Sequence, residues 1–352
     1  MAVELGPLVT GVKEEISFDQ LANRVIAVDA YNTIYQFLSI IRGPDGMPLR
    51  DQNGATTSHL SGLFYRTISL LEHKITPVFV FDGMPPALKQ RTLEARMHRR
   101  EIAAKEWSDA LKKGMMEEAR QHAMASTRIN KEIVESSKRL LDLMGMAHIQ
   151  APSEGEAEAS HLASDGLVYA SASQDYDLFL FGSPIAVRNL TITGRRKLPR
   201  KNVFVDVHPE RIELKRLLAS LGITHEQLVW LGMLVGTDFN EGVPGVGAKT
   251  ALKIVREKKT LREVVSAAEA KYGASFEADP EEIESIFLNP EVREIEQGEF
   301  NSLLKNAKPD KEALLRFMCD EHGFSKERVV KFADTLVSYR SAAGQKGIGT
   351  WV

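Results

Sequence analysis

The sequence predicts an α/β protein: a central, mostly parallel sheet flanked by helices, with a helical insertion and a helical C-terminal region. Three observations carry that prediction. Arg24 to Ala30 (RVIAVDA) and Thr76 to Gly83 (TPVFVFDG) are continuous runs of apolar, mostly β-branched or aromatic residues, each with a carboxylate at its end. Such runs mark strands buried on both faces of a parallel sheet. Helical stretches lie between the strand-like runs, and alternation of that kind implies a parallel sheet whose sites form beyond the carboxyl ends of its strands. After Pro209 the strand signals stop and helix-like segments follow one another.

In chain order, the first strand is Arg24 to Ala30, a helix covers Ser58 to His73, and the second strand is Thr76 to Gly83. Asp82 and Glu154 are then about seventy residues apart with no good strand between them, far more than a crossover needs. This is read as a long insertion. Pro85-Pro86 open it, and Leu93 and Met97, then Trp107, Leu111 and Met115, repeat at helical i, i+4 spacing. It is either a packed helical hairpin or a basic arch, about 85–139, over the sheet edge. Helices are expected at Lys131 to Met144 and Glu154 to Ala163, and a third strand at Gly166 to Ser173. Leu178 to Phe181, Ile185 to Leu190 and Val203 to Val207 are further strand candidates. The helices after Pro209 are expected at Glu210 to Leu221, His225 to Val235, Ala248 to Glu257, Leu261 to Tyr272 and Lys311 to Tyr339.

Composition narrows the class. Apolar residues are 43% of the chain and charged residues 26%, which fits a globular protein and excludes disorder of the whole chain. No apolar run approaches the roughly 18 residues of a membrane span, and no secretory signal is visible at the start. Cys319 is the single cysteine, so an internal disulfide and a Cys-based zinc site are both excluded. A cytoplasmic, reducing setting is expected. The net charge of −3 hides segregation. Arg188, Arg195, Arg196, Lys197, Arg200 and Lys201 form a block without acids, and Lys89 to Arg100 and Lys249 to Arg262 are also strongly basic, whereas Glu277 to Glu299 is acidic. Local basic blocks can bind phosphate on a neutral protein.

The acids are placed systematically. Asp29 and Asp82 each end a strand, Asp175 and Asp177 follow a third, Glu154 and Glu156 open a helix, and Asp238 lies in the turn Gly236-Thr237-Asp238-Phe239. One acid at a helix start is usually a cap, and one after a strand is usually turn chemistry. Seven that converge on one sheet edge repel one another. Such a cluster calls for divalent cations, and oxygen-only donors favour Mg²⁺, with Mn²⁺ as the alternative. A two-ion site suits in-line phosphodiester hydrolysis. Lys89 and Arg96 are seven residues apart, two helical turns, and so share a face from which both can reach a phosphate. Gly242 to Ala251 (GVPGVGAKTA) is a Gly-rich turn running into a helix. Gly245, Gly247 and Lys249 there suit close approach to a phosphate backbone at free helix N–H groups.

These residues sit in motifs whose order and spacing resemble the flap endonucleases, the structure-specific 5′ nucleases of replication and repair, and in particular their archaeal-type members. The motifs are VDAYNTIYQFL (Val28 to Leu38), TTSHLSGLFYRT (Thr56 to Thr67), VFVFDGMPPALK (Val78 to Lys89), APSEGEAEA (Ala151 to Ala159), SQDYDLFLFG (Ser173 to Gly182) and the GTDFNEGVPGVGAKTAL turn. The resemblance implies a 5′ nuclease, PIN-like fold. It implies metal ligands at Asp29, Asp82, Glu154, Glu156, Asp175, Asp177 and Asp238, and basic catalytic residues at Lys89 and Arg96. It also implies an aromatic that stacks near the scissile nucleotide at Tyr35, a phosphate contact at Arg66, and a K⁺ ion between the hairpin turn and DNA. Residues 1–340 would form one nuclease domain, with 1–207 the core and arch and 208–340 the helical duplex-binding region. Residues 341–352 would be a flexible tail for the sliding clamp through Gln345, Ile348 and Trp351.

The implied activity is Mg²⁺-dependent 5′ flap endonuclease and 5′-3′ exonuclease hydrolysis at DNA junctions, in Okazaki fragment processing and base excision repair. The enzyme would be a monomer at the nucleoid, with branched DNA as substrate and no membrane partner. The rival readings are a non-catalytic junction-binding scaffold tethered to the clamp and a sibling nuclease for bubbles or junctions. Two positions depart from the family pattern: Ala2 stands where Gly is usual, and Val352 where a second aromatic is usual.

Overall fold

The computed structural model describes residues 3–43, 45–112, 115, 127–192, 194–197 and 204–345. Its core is a seven-stranded sheet of order β1-β9-β6-β5-β2-β3-β4. The strands are β1 Glu14–Glu15, β2 Val25–Asp29, β3 Thr76–Phe81, β4 His148–Gln150, β5 Ala170–Ala172, β6 Ile185–Arg188 and β9 Glu210–Glu213. The five strands from β4 to β6 in that order pair in parallel, and the β6-β9 and β9-β1 pairs are antiparallel. β7 Gly194–Lys197 and β8 Phe204–Val207 form a separate antiparallel ribbon.

β2 shows why its sequence is a continuous apolar run. Ile26 and Val28 face one core with helices α2 (Ala30–Ile40), α3 (Ser58–Glu72) and α5 (Lys131–Leu143). Val25 and Ala27 face the other with α6 (Gly155–Ser164). Both faces are covered, so no polar alternation survives. A third core gathers the C-terminal helices α8 (Leu214–Leu221), α9 (His225–Val235), α10 (Ala248–Arg256), α11 (Leu261–Tyr272) and α12 (Pro280–Leu288). The N-terminal segment, with its short helix α1 (Gly6–Val9), brings Val3, Leu5 and Val9 to it. Helix α4 (Lys89–Lys112) is mostly exposed, with Ala103 and Ala110 buried. No single helix among the described residues is long and apolar enough to cross a membrane.

Several expected elements differ. Leu178 to Phe181 is not a strand: Asp177–Leu180 forms a helical turn, α7. Its apolar residues are all buried, and a short, fully buried run carries no period that separates strand from helix. A strand does lie between Asp82 and Glu154, because β4 pairs in parallel with β3. The first part of Glu210 to Leu221 is strand β9, not helix. Val203 to Val207 contributes to the β7-β8 ribbon rather than the main sheet, with residue 203 outside the described residues. Lys311 to Tyr339 is interrupted: α14 (Lys311–Leu315) runs into a π-helical turn at Arg316–Glu321, and α15 (Lys326–Gln345) begins after Gly323 at φ +68°. Helix α12 lies in the acidic stretch and α13 (Gln297–Asn306) begins at its end, where no helix was expected.

Candidate active site

Register brings the acids together. Asp29 ends β2 level with Val80 of β3, and Asp82 follows two residues beyond. Val28 is level with Ala172 of β5, so Ser173 emerges beside Asp29. Asp175 and Asp177 follow on the loop into α7, while β4 leads to Glu154 at the N-cap of α6. Asp238 enters from the turn after α9. All the strands concerned are parallel, so these residues meet at one carboxyl edge.

Polar contacts hold the carboxylates in place. The Asn32 amide donates to Asp29 Oδ1 at 3.0 Å, and Asn32 Nδ2 donates to Asp175 Oδ2 at 3.0 Å. Ser173 Oγ lies 3.1 Å from Asp29 Oδ2 and 2.8 Å from Glu156 Oε1, tying β2 to α6. The Gly155 amide donates to Asp82 Oδ1 at 2.8 Å. A Cβ at Gly155 would stand 2.6 Å from that same oxygen, so only glycine permits the approach. The Val3 amide donates to Asp177 Oδ1 at 2.7 Å. The start of the chain therefore reaches the site, although Ala2 itself lies outside the described residues.

Burial and mutual repulsion keep these acids from ionising easily. Burial first, then the Asp82 charge, pushes Asp29 up to about 8. Burial and then Asp238 push Asp177 up to about 7. Glu156 is raised well above the usual carboxylate range by burial and by Asp175. Asp82 and Glu154 are raised mainly by burial, with Lys89 opposing. Carboxylates buried together at a solvent-facing edge are a donor set that suits a hard divalent cation.

Lys89 opens α4 beside the acids. Its ammonium donates to Glu154 Oε2 and lies 3.3 Å from Asp238 Oδ2, with 12% of its side chain exposed. Those two carboxylates and Asp82 raise its affinity for the proton against the cost of burial. Arg96 lies two turns further along α4, and its side chain is outside the described residues. Tyr35, on α2, is half-buried rather than a core residue, and the Arg100 guanidinium of α4 sits 5.9 Å from its ring centroid. Arg66, on α3, is partly buried, and burial lowers its guanidinium from the ordinary value.

The Gly-rich turn lies between α9 and α10. Gly245 adopts φ +80°, Gly247 caps α10, and Gly245, Gly247 and Lys249 are exposed, while Val243 and Val246 anchor the turn beneath. Of the tail residues, Gln345 ends α15 with its side chain outside the described residues, and Ile348 and Trp351 lie outside them altogether.

Sequence reasoning missed Asn32, Ser173 and the contact role of Gly155. The signal was local: Asn32 follows Asp29 by three residues, at the position where an N-cap acid meets a backbone N–H. Ser173 precedes the two aspartates by two and four residues.

A parallel sheet with seven carboxylates at its carboxyl edge, a buried lysine among them and a glycine-rich helix entry nearby defines a metal-dependent nuclease. The model of the XPG N-terminal domain matches residues 1–103, and that of the XPG I-region matches residues 145–238. With relatives 48% identical along its whole length, the chain belongs to the flap endonuclease family. The flap endonuclease 1 of Pyrococcus furiosus is 48% identical over 352 residues, covering 100% of this chain and 99% of the relative. Among solved structures, flap endonuclease-1 from Methanococcus jannaschii is similar at TM-score 0.73 and 38% identity, covering 97% of this chain and 99% of that one. The catalytic core of Rad2 in complex with DNA substrate shares the fold at TM-score 0.66 and 23% identity, over 96% of this chain and 100% of that one.

Proposed function

We infer that this chain is a structure-specific 5′ nuclease that cuts DNA where a single-stranded 5′ flap leaves a duplex, and also removes nucleotides from 5′ ends. The observation that carries this reading is the convergence of Asp29, Asp82, Glu154, Glu156, Asp175, Asp177 and Asp238 on one sheet edge beside buried Lys89. Those seven carboxylates would hold two Mg²⁺ ions, with Mn²⁺ as substitute, which when bound lower the pKa of water and offset charge on the attacking and leaving oxygens.

The protein's own groups do the rest. Asn32 and Ser173 hold the carboxylates against rotation. Lys89, joined by Arg96, is positioned to neutralise charge that builds on the phosphoryl oxygens. Tyr35 offers a stacking face, which tolerates any base and so suits an enzyme that reads shape. Arg66 supplies a phosphate contact. Gly245, Gly247 and Lys249 would grip the duplex backbone without reading bases, with a K⁺ ion at the turn. Gln345, Ile348 and Trp351 would dock the sliding clamp, and the enzyme would act as a monomer at the nucleoid in replication and repair.

The test is cleavage of a labelled double-flap duplex in Mg²⁺ and in EDTA, with 3′-flap and blunt duplexes as controls. The expected result is one Mg²⁺-dependent cut near the base of the 5′ flap. Tight junction binding without any cut would replace this reading with that of a scaffold.

A further inference from the structure

Helix α6 carries a second cluster toward its far end, about 10–16 Å from Glu154 by helix rise. His161 and Asp165 lie one turn apart there, and Glu294 comes from the irregular segment between α12 and α13. His161 Nε2 stands 3.3 Å from Asp165 Oδ2 and 3.5 Å from Glu294 Oε2, and the three donor atoms all lie within 4.8 Å of one another.

Three observations set this cluster apart from a surface ion pair. First, His161 Nε2 is shut off from solvent, yet it makes no hydrogen bond to either carboxylate oxygen facing it. Second, the two separations from His161 Nε2, 3.3 and 3.5 Å, match the roughly 3.3 Å between neighbouring donors of a tetrahedral centre with bonds of about 2.0 Å. Third, Glu158, one turn before His161, is fully buried, and its Oε1 has no partner. Glu158 lies near enough to feel the charges of both His161 and Glu294. Its Oε2 accepts the Arg293 amide at 2.8 Å, and so clamps the very segment that presents Glu294. The Arg293 guanidinium does not neutralise the cluster alone, because it also pairs with Glu299.

We propose that His161, Asp165 and Glu294 form a second metal site, for a borderline divalent transition ion such as Zn²⁺, separate from the catalytic carboxylates. An imidazole donor favours such an ion over Mg²⁺. With three protein donors, one position stays open for water. The bound ion ties the segment between α12 and α13 to α6, the helix whose opposite end presents Glu154 and Glu156. Its expected effect is to hold the segment before α13 against α6, which packs on the sheet.

Zn²⁺ itself is the probe. It is titrated calorimetrically into the full chain in excess Mg²⁺, which competes at the catalytic acids, and into Glu294→Gln and His161→Gln. Glu294 has 85% of its side chain exposed, so its replacement does not threaten folding. One Zn²⁺ is expected per wild-type chain. Disturbing groups that merely support a ligand costs about 10–100-fold in affinity, so losing a ligand should weaken Zn²⁺ at least that far in both variants. Amide exchange at Arg293 should slow on adding Zn²⁺ to the wild type but not to Glu294→Gln. Zn²⁺ binding of equal affinity and number in wild type and both variants would overturn the proposal, as would absence of binding to the wild type. Loss of the Zn²⁺ in Asp175→Asn but not in Glu294→Gln would assign the ion to the catalytic edge instead, and overturn it too.

Discussion

At the sheet edge, charge is buried: Asp29 is 5% exposed, Asp177 4%, and Lys89 sits among them with its ammonium between Glu154 and Asp238. At the turn between α9 and α10, charge is on the surface: Lys249 is exposed, and the groups that matter beside it are backbone N–H groups opened by Gly245 at φ +80°. On the proposed function, both regions meet phosphate. The edge does so with preorganised side chains that repel one another until a cation arrives, so it is costly to assemble but decisive for chemistry. The turn does so with a helix terminus that carries no such cost, and it can bind but not react. Damage at the edge should therefore fall on the chemical step, and damage at the turn on DNA affinity.

The contrast breaks most visibly at Lys89. Lys89→Met should lower the single-turnover cleavage rate about 10²–10³-fold, the scale of losing one preorganised charge donor, while flap binding stays within a few-fold. A loss confined to binding would erase the difference between the two regions.

Next in size is an effect of pH on stability. With Asp29 held near 8 and Asp177 near 7 by burial first and neighbouring acids second, the cation-free fold binds more protons than the unfolded chain from about pH 4 to 8. Its stability should therefore fall as pH rises through that window, and Mn²⁺ should raise the melting temperature more at pH 8 than at pH 5. An equal shift at both values would mean that the cation does not meet these acids. His59 works in the opposite sense. Burial holds its imidazole down to about 3, with Ser136 Oγ at 2.8 Å. Between that value and the ordinary 6.5 the unfolded chain binds the extra proton, so this contribution is lost as pH falls. His59→Gln should flatten the acid limb of a melting-temperature profile measured in saturating Mn²⁺.

Gly155→Ala sharpens the comparison more gently. The new methyl group meets Asp82 Oδ1 at 2.6 Å and the Val80 carbonyl at 3.3 Å, and overpacking of this kind costs about 1–3 kcal/mol. Thermal unfolding should show that loss, together with slower cleavage, because Asp82 must move. Smallest is Lys249→Ala. It should weaken duplex binding to the same degree for every sequence and reduce the slope of log affinity against log salt by about 1, with the rate at saturation unchanged. A changed maximal rate would place the turn in the chemistry.

Most of the edge was legible from the sequence, because each acid follows an element with a strong pattern of its own. β2 and β3 are buried on both faces and so read as continuous apolar runs, and Asp29 and Asp82 stand at their ends. What lay hidden has a short or charged pattern. β4 is three residues long, with Ile149 alone buried, and β9 is Glu-Arg-Ile-Glu, with Ile212 alone buried. A single apolar residue has no period. Asp177–Leu180 reads as apolar in any conformation, and only tertiary burial makes it a helical turn. Asn32 and Ser173 are ordinary polar residues in sequence, and their role exists only once β2, β5 and α6 are side by side.

The most direct measurement compares single-turnover cleavage of a 5′-flap duplex by the wild type and by Asp175→Asn at matched DNA occupancy in Mg²⁺. Asp175 is chosen because it shares Asn32 and Ser173 with the other acids while standing on the loop beyond β5. If the buried carboxylate edge carries the reaction, Asp175→Asn binds the flap like the wild type and cuts it at least about 10³-fold more slowly. Cleavage by Asp175→Asn at the wild-type rate would contradict the account.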